Sequence, residues 1–180
     1  VLARAGKRVL LVDADLRRNG LGKQVGVHKE TPGLLDMVIA TDDDISRYIT
    51  PLDFEGLDFM CSGDVLNASP TDIFSSRRME QIVAIMREHY DMVLFDAPPI
   101  MAVADARIIS QLVDKTLFVL RWDKTPGKVA RAALDLLRQN NIPLAGVVLQ
   151  QVNLSRYGRL GYGDSGHYYV HGRYGQYYQG

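Results

Sequence analysis

Arg8-Val9-Leu10-Leu11-Val12-Asp13-Ala14-Asp15-Leu16-Arg17-Arg18 is the stretch on which the fold turns. Consecutive aliphatic residues end abruptly in two carboxylates and two guanidinium groups. Such a run suits a parallel strand covered on both faces. Its charges are then delivered at the carboxyl edge of the sheet, where open α/β folds take their ligands.

Further along, Asp91-Met92-Val93-Leu94-Phe95-Asp96-Ala97-Pro98-Pro99 repeats the arrangement: an apolar strand ends in Asp96, and prolines that cannot continue a ladder follow it. Asp13, Asp15 and Asp96 therefore stand at the ends of two strands. Carboxylates placed together repel one another unless a cation lies between them, and hard oxygen donors favour magnesium. The implied ligand is a magnesium nucleotide.

Strands are predicted at Val9 to Val12, Leu57 to Met60, Met92 to Phe95, Thr116 to Leu120 and Leu144 to Leu149. Helical patterns alternate with the later ones. One helix is predicted from about Thr71 to His89, with Met79, Ile82, Val83 and Met86 at i, i+3, i+4 and i+7. A second is predicted over about Gly127 to Asn140, with Val129, Ala133, Leu136 and Leu137 on one stripe, and a shorter one around Ala102 to Leu112. This order gives a doubly wound, mostly parallel α/β sheet.

Composition narrows the function classes. The chain has 180 residues, of which 47% are hydrophobic, enough for one good core. Its 21 basic and 21 acidic residues cancel, which argues against a broad electrostatic grip on nucleic acid or anionic lipid. No apolar run reaches the ~20 residues of a membrane-spanning helix. The single Cys61 cannot form an internal disulfide and reads as a small buried hydrophobe. His28, His89, His167 and His171 lack the spacing of a zinc site on a rigid element. The chain opens as the last turns of a helix, and we expect a fragment of a longer protein.

From Ser155 onward the composition changes. Tyr157, Tyr162, Tyr168, Tyr169, Tyr174, Tyr177 and Tyr178 are seven of the chain's nine tyrosines, interleaved with glycine and almost without aliphatic residues. Residues 1–154 are therefore expected to form the folded domain and residues 155–180 a flexible tail.

The two strand ends with their aspartates and the tyrosine-rich terminus together resemble the bacterial tyrosine kinases, or BY-kinases, a branch of the deviant P-loop ATPases. Pro32-Gly33-Leu34-Leu35-Asp36, Ser62-Gly63 through Ser69-Pro70, Val103-Ala104-Asp105-Ala106 and Gly146-Val147-Val148-Leu149 add to the resemblance, which covers essentially the whole chain. It implies a P-loop NTPase fold that takes ATP and Mg2+. Asp13-Ala14-Asp15 then corresponds to the Walker A′ element and Asp96 to the Walker B residue. By the same resemblance Asp15 and Asp96 hold magnesium, largely through its waters, and Asp13 accepts the tyrosine proton. Asp15, Arg17 and Gln150 are implied nucleotide contacts; Arg18 is a further candidate for phosphate or a partner subunit. The tail tyrosines would be the phosphoacceptors, modified by a neighbouring copy.

The resemblance also implies a ring-like homo-oligomer, a membrane-anchored chain-length-determinant region fused upstream or supplied as an activator, and a cognate tyrosine phosphatase. Its setting would be the cytoplasmic face of the bacterial inner membrane, in capsule or exopolysaccharide export, with no nucleic-acid partner. One element is not found: Gly6-Lys7, Gly22-Lys23 and Gly127-Lys128 all fail the pattern G-x-x-x-x-G-K-[ST]. We expect that phosphate-cradling loop upstream of Val1 and little catalysis by these residues alone. Two other readings remain open: a partitioning or septum-placement ATPase, which shares both aspartate strand ends, and a non-catalytic regulator of polysaccharide assembly.

Overall fold

The computed structural model describes all residues except 19, 29, 41, 64–68, 154, 155 and 157–180. These fall into two compact units that divide between Asp114 and Lys115, each described by itself.

In the first unit, β1 (Val9–Asp13) lies between β3 (Leu57–Met60) and β4 (Met92–Asp96), parallel to both, and the short β2 (Thr50–Pro51) runs antiparallel to β3. The strand order is β2-β3-β1-β4. The interior position of β1 explains its unbroken apolar sequence: Leu10 and Val12 are fully buried and Val9 nearly so. At the end of the row, β4 alternates, with Met92, Leu94 and Asp96 exposed and Val93 and Phe95 half-buried.

Short helices α1 (Gly20–Val25) and α2 (Leu34–Ile39) follow β1, and neither has a marked sequence period. Gly33 precedes α2 because nothing larger fits there. A side chain at Gly33 would collide with the Cys61 carbonyl and sit 2.7 Å from its Sγ. This approach lets the Leu34 and Leu35 N–H groups donate to the Cys61 and Ser62 carbonyls at 2.8 and 3.1 Å, while Asp36 Oδ2 accepts from Gly33 N–H at 2.8 Å. Cys61 is buried as expected, its thiol donating to the Thr31 carbonyl at 2.8 Å.

The single helix predicted from Thr71 to His89 is two helices, α3 (Pro70–Phe74) and α4 (Arg77–His89). Ser76 divides them, because its extended backbone and side chain form an N-cap: Oγ accepts from Met79 N–H at 3.1 Å and donates to the Ile73 carbonyl at 2.7 Å. The apolar stripe is as predicted, with Met79, Ile82 and Met86 fully buried in the core alongside Leu10, Leu34 and Phe74. Helix α5 (Asp105–Leu112) starts three residues later than expected, since Ala102 to Ala104 form the turn leading into it. The opening helix is a single 3-10 turn, Ala3–Ala5, ended by Gly6 in the left-handed conformation.

In the second unit, β5 (Thr116–Arg121) and β6 (Leu144–Gln150) pair in parallel, with α6 (Gly127–Gln139) between them in sequence. Of the predicted α6 stripe, Ala133 and Leu137 are buried, Leu136 is half-buried and Val129 is exposed.

Candidate functional site

The parallel register of β1 and β4 sets Asp13 opposite Asp96, and the chain beyond Asp13 stays tied to β4, since Ala14 N–H donates to the Asp96 carbonyl at 2.9 Å. Both strands thus deliver an acid at one carboxyl edge. Asp15 follows two residues on in the loop.

The three carboxylates have different environments. Asp13 is fully buried and accepts three backbone N–H bonds: from Asp15 to Oδ1 at 3.2 Å, and from Leu21 and Gly22 to Oδ2 at 3.1 and 3.3 Å. It pins the loop and the start of α1 to the end of β1. Burial raises the Asp13 pKa above the ordinary carboxylate value, opposed by those hydrogen bonds and assisted by the Asp15 charge.

Asp15 is half-buried, and its Oδ1 accepts the N–H groups of Arg17 and Arg18, both at 3.2 Å, forming a side-chain-closed turn. Asp96 is exposed, and among the described residues no hydrogen bond or ion pair reaches its carboxylate. Its pKa is also raised, first by desolvation of the carboxylate and then by the Asp13 and Asp15 charges.

Oxygen atoms are therefore available for a hard cation at Asp96 and at Oδ2 of Asp15, while Asp13 is already engaged. No cluster of three or more His, Cys, Asp or Glu side chains among the described residues could enclose a metal ion. Two carboxylates at a strand edge fit magnesium, which keeps waters and substrate phosphate in its shell rather than a cage of protein ligands.

The Arg17 side chain reaches Asp105, its Nε donating to Asp105 Oδ2 at 2.9 Å, so one side of the guanidinium is committed to a protein partner. That hydrogen bond and the Asp105 charge raise the Arg17 pKa further above its already high ordinary value. Arg18 is exposed. Sequence reading found Asp105 only as part of Val103-Ala104-Asp105-Ala106, without a role. An acid directly before a helical apolar pattern was the available signal, but its partner lies 88 residues away.

Gln150 ends β6 in the second unit with its side chain exposed, and its carbonyl accepts the Trp122 N–H at 3.0 Å. Tyr157 and the six later tail tyrosines lie outside the described residues.

A parallel sheet with two acidic strand ends at its carboxyl edge defines a nucleotide-handling α/β domain. In agreement, a family model described as an AAA domain matches residues 1–120, and the chain belongs to that family. Within it the chain is a member of the bacterial tyrosine kinases. The tyrosine-protein kinase YwqD of Bacillus subtilis is 32% identical over 162 residues, which are 90% of this chain and 67% of that protein. The tyrosine-protein kinase wzc of Salmonella typhi is 32% identical over 93% of this chain and 22% of its own length. This chain thus spans about a fifth of the length of the larger curated relatives it matches.

Among solved structures, the kinase domain of the Escherichia coli tyrosine kinase ETK superposes with a TM-score of 0.77 at 29% identity, covering 85% of this chain and 59% of that one. The VpsO kinase domain gives 0.77 at 28% identity, covering 84% and 73%. The cell-division ATPase MinD of Pyrococcus furiosus, at 19% identity and a TM-score of 0.64, shares the fold.

Proposed function

We propose that this chain is the greater part of an ATP-dependent protein-tyrosine kinase domain that phosphorylates tyrosines of its own kind and regulates capsule or exopolysaccharide export. The observation that carries this reading is the register of Asp13 against Asp96, with Asp15 beside them at the same sheet edge. Kinship with named tyrosine-protein kinases supports it over the partitioning-type ATPase, with which the likeness is one of fold.

In this reading Asp15 and Asp96 would hold a magnesium ion, which would supply positive charge to offset that of the β- and γ-phosphates. The phenolic oxygen of a tyrosine attacks the γ-phosphorus of ATP, its bond to the β-γ bridging oxygen breaks, and ADP leaves. The phenol proton passes to Asp13, whose Oδ1 carries a single backbone hydrogen bond and whose basicity is raised by burial. Gln150 contributes amide donor and acceptor groups suited to a nucleobase.

The acceptors are the tail tyrosines from Tyr157 to Tyr178, presented by a neighbouring copy in a ring-like homo-oligomer. Each phosphate adds roughly −1.5 to −2 charge, enough for several to drive copies apart by repulsion. The phosphate-cradling loop, the membrane-anchored activating region and a phosphatase that resets the tail belong to the wider system of the longer parent, on the cytoplasmic face of the inner membrane.

The test is mass-spectrometric mapping of phosphotyrosine in the full-length parent after incubation with magnesium and ATP. Phosphate on several residues between Tyr157 and Tyr178, absent in Asp96→Asn, supports the kinase. An unmodified tail despite ATP turnover would favour the partitioning-type ATPase, and absence of both would favour a non-catalytic regulator.

A further inference from the structure

Asp105 is a charged side chain with 1% exposure at the first position of α5, outside the cluster of apolar side chains that forms the core. A buried carboxylate is tolerated only when its charge is matched and its lone pairs are occupied. Here Arg17 donates through Nε to Oδ2 at 2.9 Å and through Nη2 to Oδ1 at 3.4 Å, and the Thr71 hydroxyl donates to Oδ1 at 3.0 Å. The loop after β1, the first turn of α3 and the first turn of α5 therefore meet on one anion.

The same Arg17 acts at both ends. Its guanidinium is fastened to Asp105, and its backbone N–H, with that of Arg18, donates to Asp15 Oδ1. The turn that orients Asp15 is thus anchored through a single residue to a buried charge on another element. Arg17 remains 47% exposed, so its hold on Asp105 does not arise from being walled in. Hydrogen bonds made by the two ends of Arg17 thus connect Asp105 to the Asp15 carboxylate.

We propose that Asp105, with Thr71, is a positioning residue for Asp15: it holds Arg17 so that the Leu16-Arg17-Arg18 turn presents Asp15 Oδ2 toward the metal. Arg17 is then primarily a tether, and its contact with phosphate is secondary. The inference rests on the reading of Asp15 as a metal-holding carboxylate. It assigns a role to the Val103-Ala104-Asp105-Ala106 segment.

The experiment uses the full-length parent and its Asp105→Asn, Arg17→Gln and doubly substituted variants, with tail phosphorylation measured against magnesium concentration at saturating ATP. Outer-sphere partners of metal ligands typically change metal affinity by about 10–100-fold, so the half-saturating magnesium concentration should rise about tenfold in each single variant. The double variant should be no worse than either single one, because both break one chain of contacts. Thr71→Ala should give a smaller shift in the same direction.

A fall in melting temperature with unchanged magnesium dependence would make the Arg17–Asp105 pair a structural staple and overturn the proposal. So would additive effects of the two substitutions. Should Asp105→Asn fail to fold, Arg17→Gln, at a half-exposed side chain, breaks the same contact and tests the same link. Should the wild-type parent prove unable to phosphorylate tyrosine, the kinase reading falls. Magnesium-dependent binding of a fluorescent ATP analogue in the same variants then decides the positioning role separately.

Discussion

Asp13 and Asp96 are register partners on adjacent parallel strands, yet one is buried and accepts three backbone N–H bonds while the other is exposed without a hydrogen-bond or ion-pair partner among the described residues. In the proposed reaction the buried one anchors the loop and receives the phenol proton through Oδ1, and the exposed one is the open ligand. Both carry raised pKa values, with loss of hydration around the carboxylate as the leading cause. Mutual repulsion is part of the cost of assembling such a site, and it is relieved when a cation arrives.

Replacing Asp96 by Asn should therefore stabilise the fold while abolishing tail phosphorylation. A carboxyl group whose folded pKa is raised binds more protons in the folded state. Its stability contribution is consequently lost as pH rises from the unfolded value through the folded one. The gain from Asp96→Asn at neutral pH should be on the order of 0.5 kcal/mol, small because the side chain is exposed and screened. It should vanish below about pH 4, where the carboxyl is protonated in both states. Urea denaturation at the two pH values checks this, and destabilisation at neutral pH would show that Asp96 has a hidden stabilising partner.

Magnesium should raise the melting temperature of the wild-type parent in the presence of ADP. At about ten times its dissociation constant a ligand stabilises by about 1.4 kcal/mol. The increment should shrink in both Asp15→Asn and Asp96→Asn. An undiminished shift in either variant, read by differential scanning fluorimetry, would remove that residue from the metal site.

Gly33→Ala should destabilise by about 1–3 kcal/mol, the usual range for overpacking. The added methyl meets the Cys61 carbonyl and Sγ, and relieving that collision requires breaking the Leu34 and Leu35 hydrogen bonds to the end of β3. Chemical denaturation gives the value; a neutral substitution would mean that α2 can shift without loss.

Ser76→Ala should cost about 1 kcal/mol, as expected for a lost N-cap. The hydroxyl joins the end of α3 to the start of α4, so amide exchange at Met79 should quicken before that of buried β1. Equal exchange in variant and wild type would show that backbone geometry alone holds the break.

Much of this architecture was legible from residue order. β3 matches the predicted Leu57 to Met60, and β1, β4, β5 and β6 each run one residue beyond the predicted end. Apolar runs bounded by charge or proline leave little choice of strand position. The α4 stripe was legible for a similar reason: four apolar residues at helical spacing specify a buried face. Helices α1 and α2 were missed because six residues are too few to display a period. The break at Ser76 was missed because a serine cap competes with helix continuation only once its oxygen meets a particular N–H.

The amino-acid order by itself determined which segments become strands and that acids terminate two of them, since both follow from local hydrophobicity and the chemistry of adjacent side chains. Only the tertiary structure decided how those acids differ. Asp13 is buried by the start of α1, Asp96 lies at the last strand of its sheet, and Asp15 is oriented through an Arg17 whose partner is 88 residues distant. Burial and long-range hydrogen bonds depend on which elements become neighbours, and that information resides in packing rather than in any one stretch of chain.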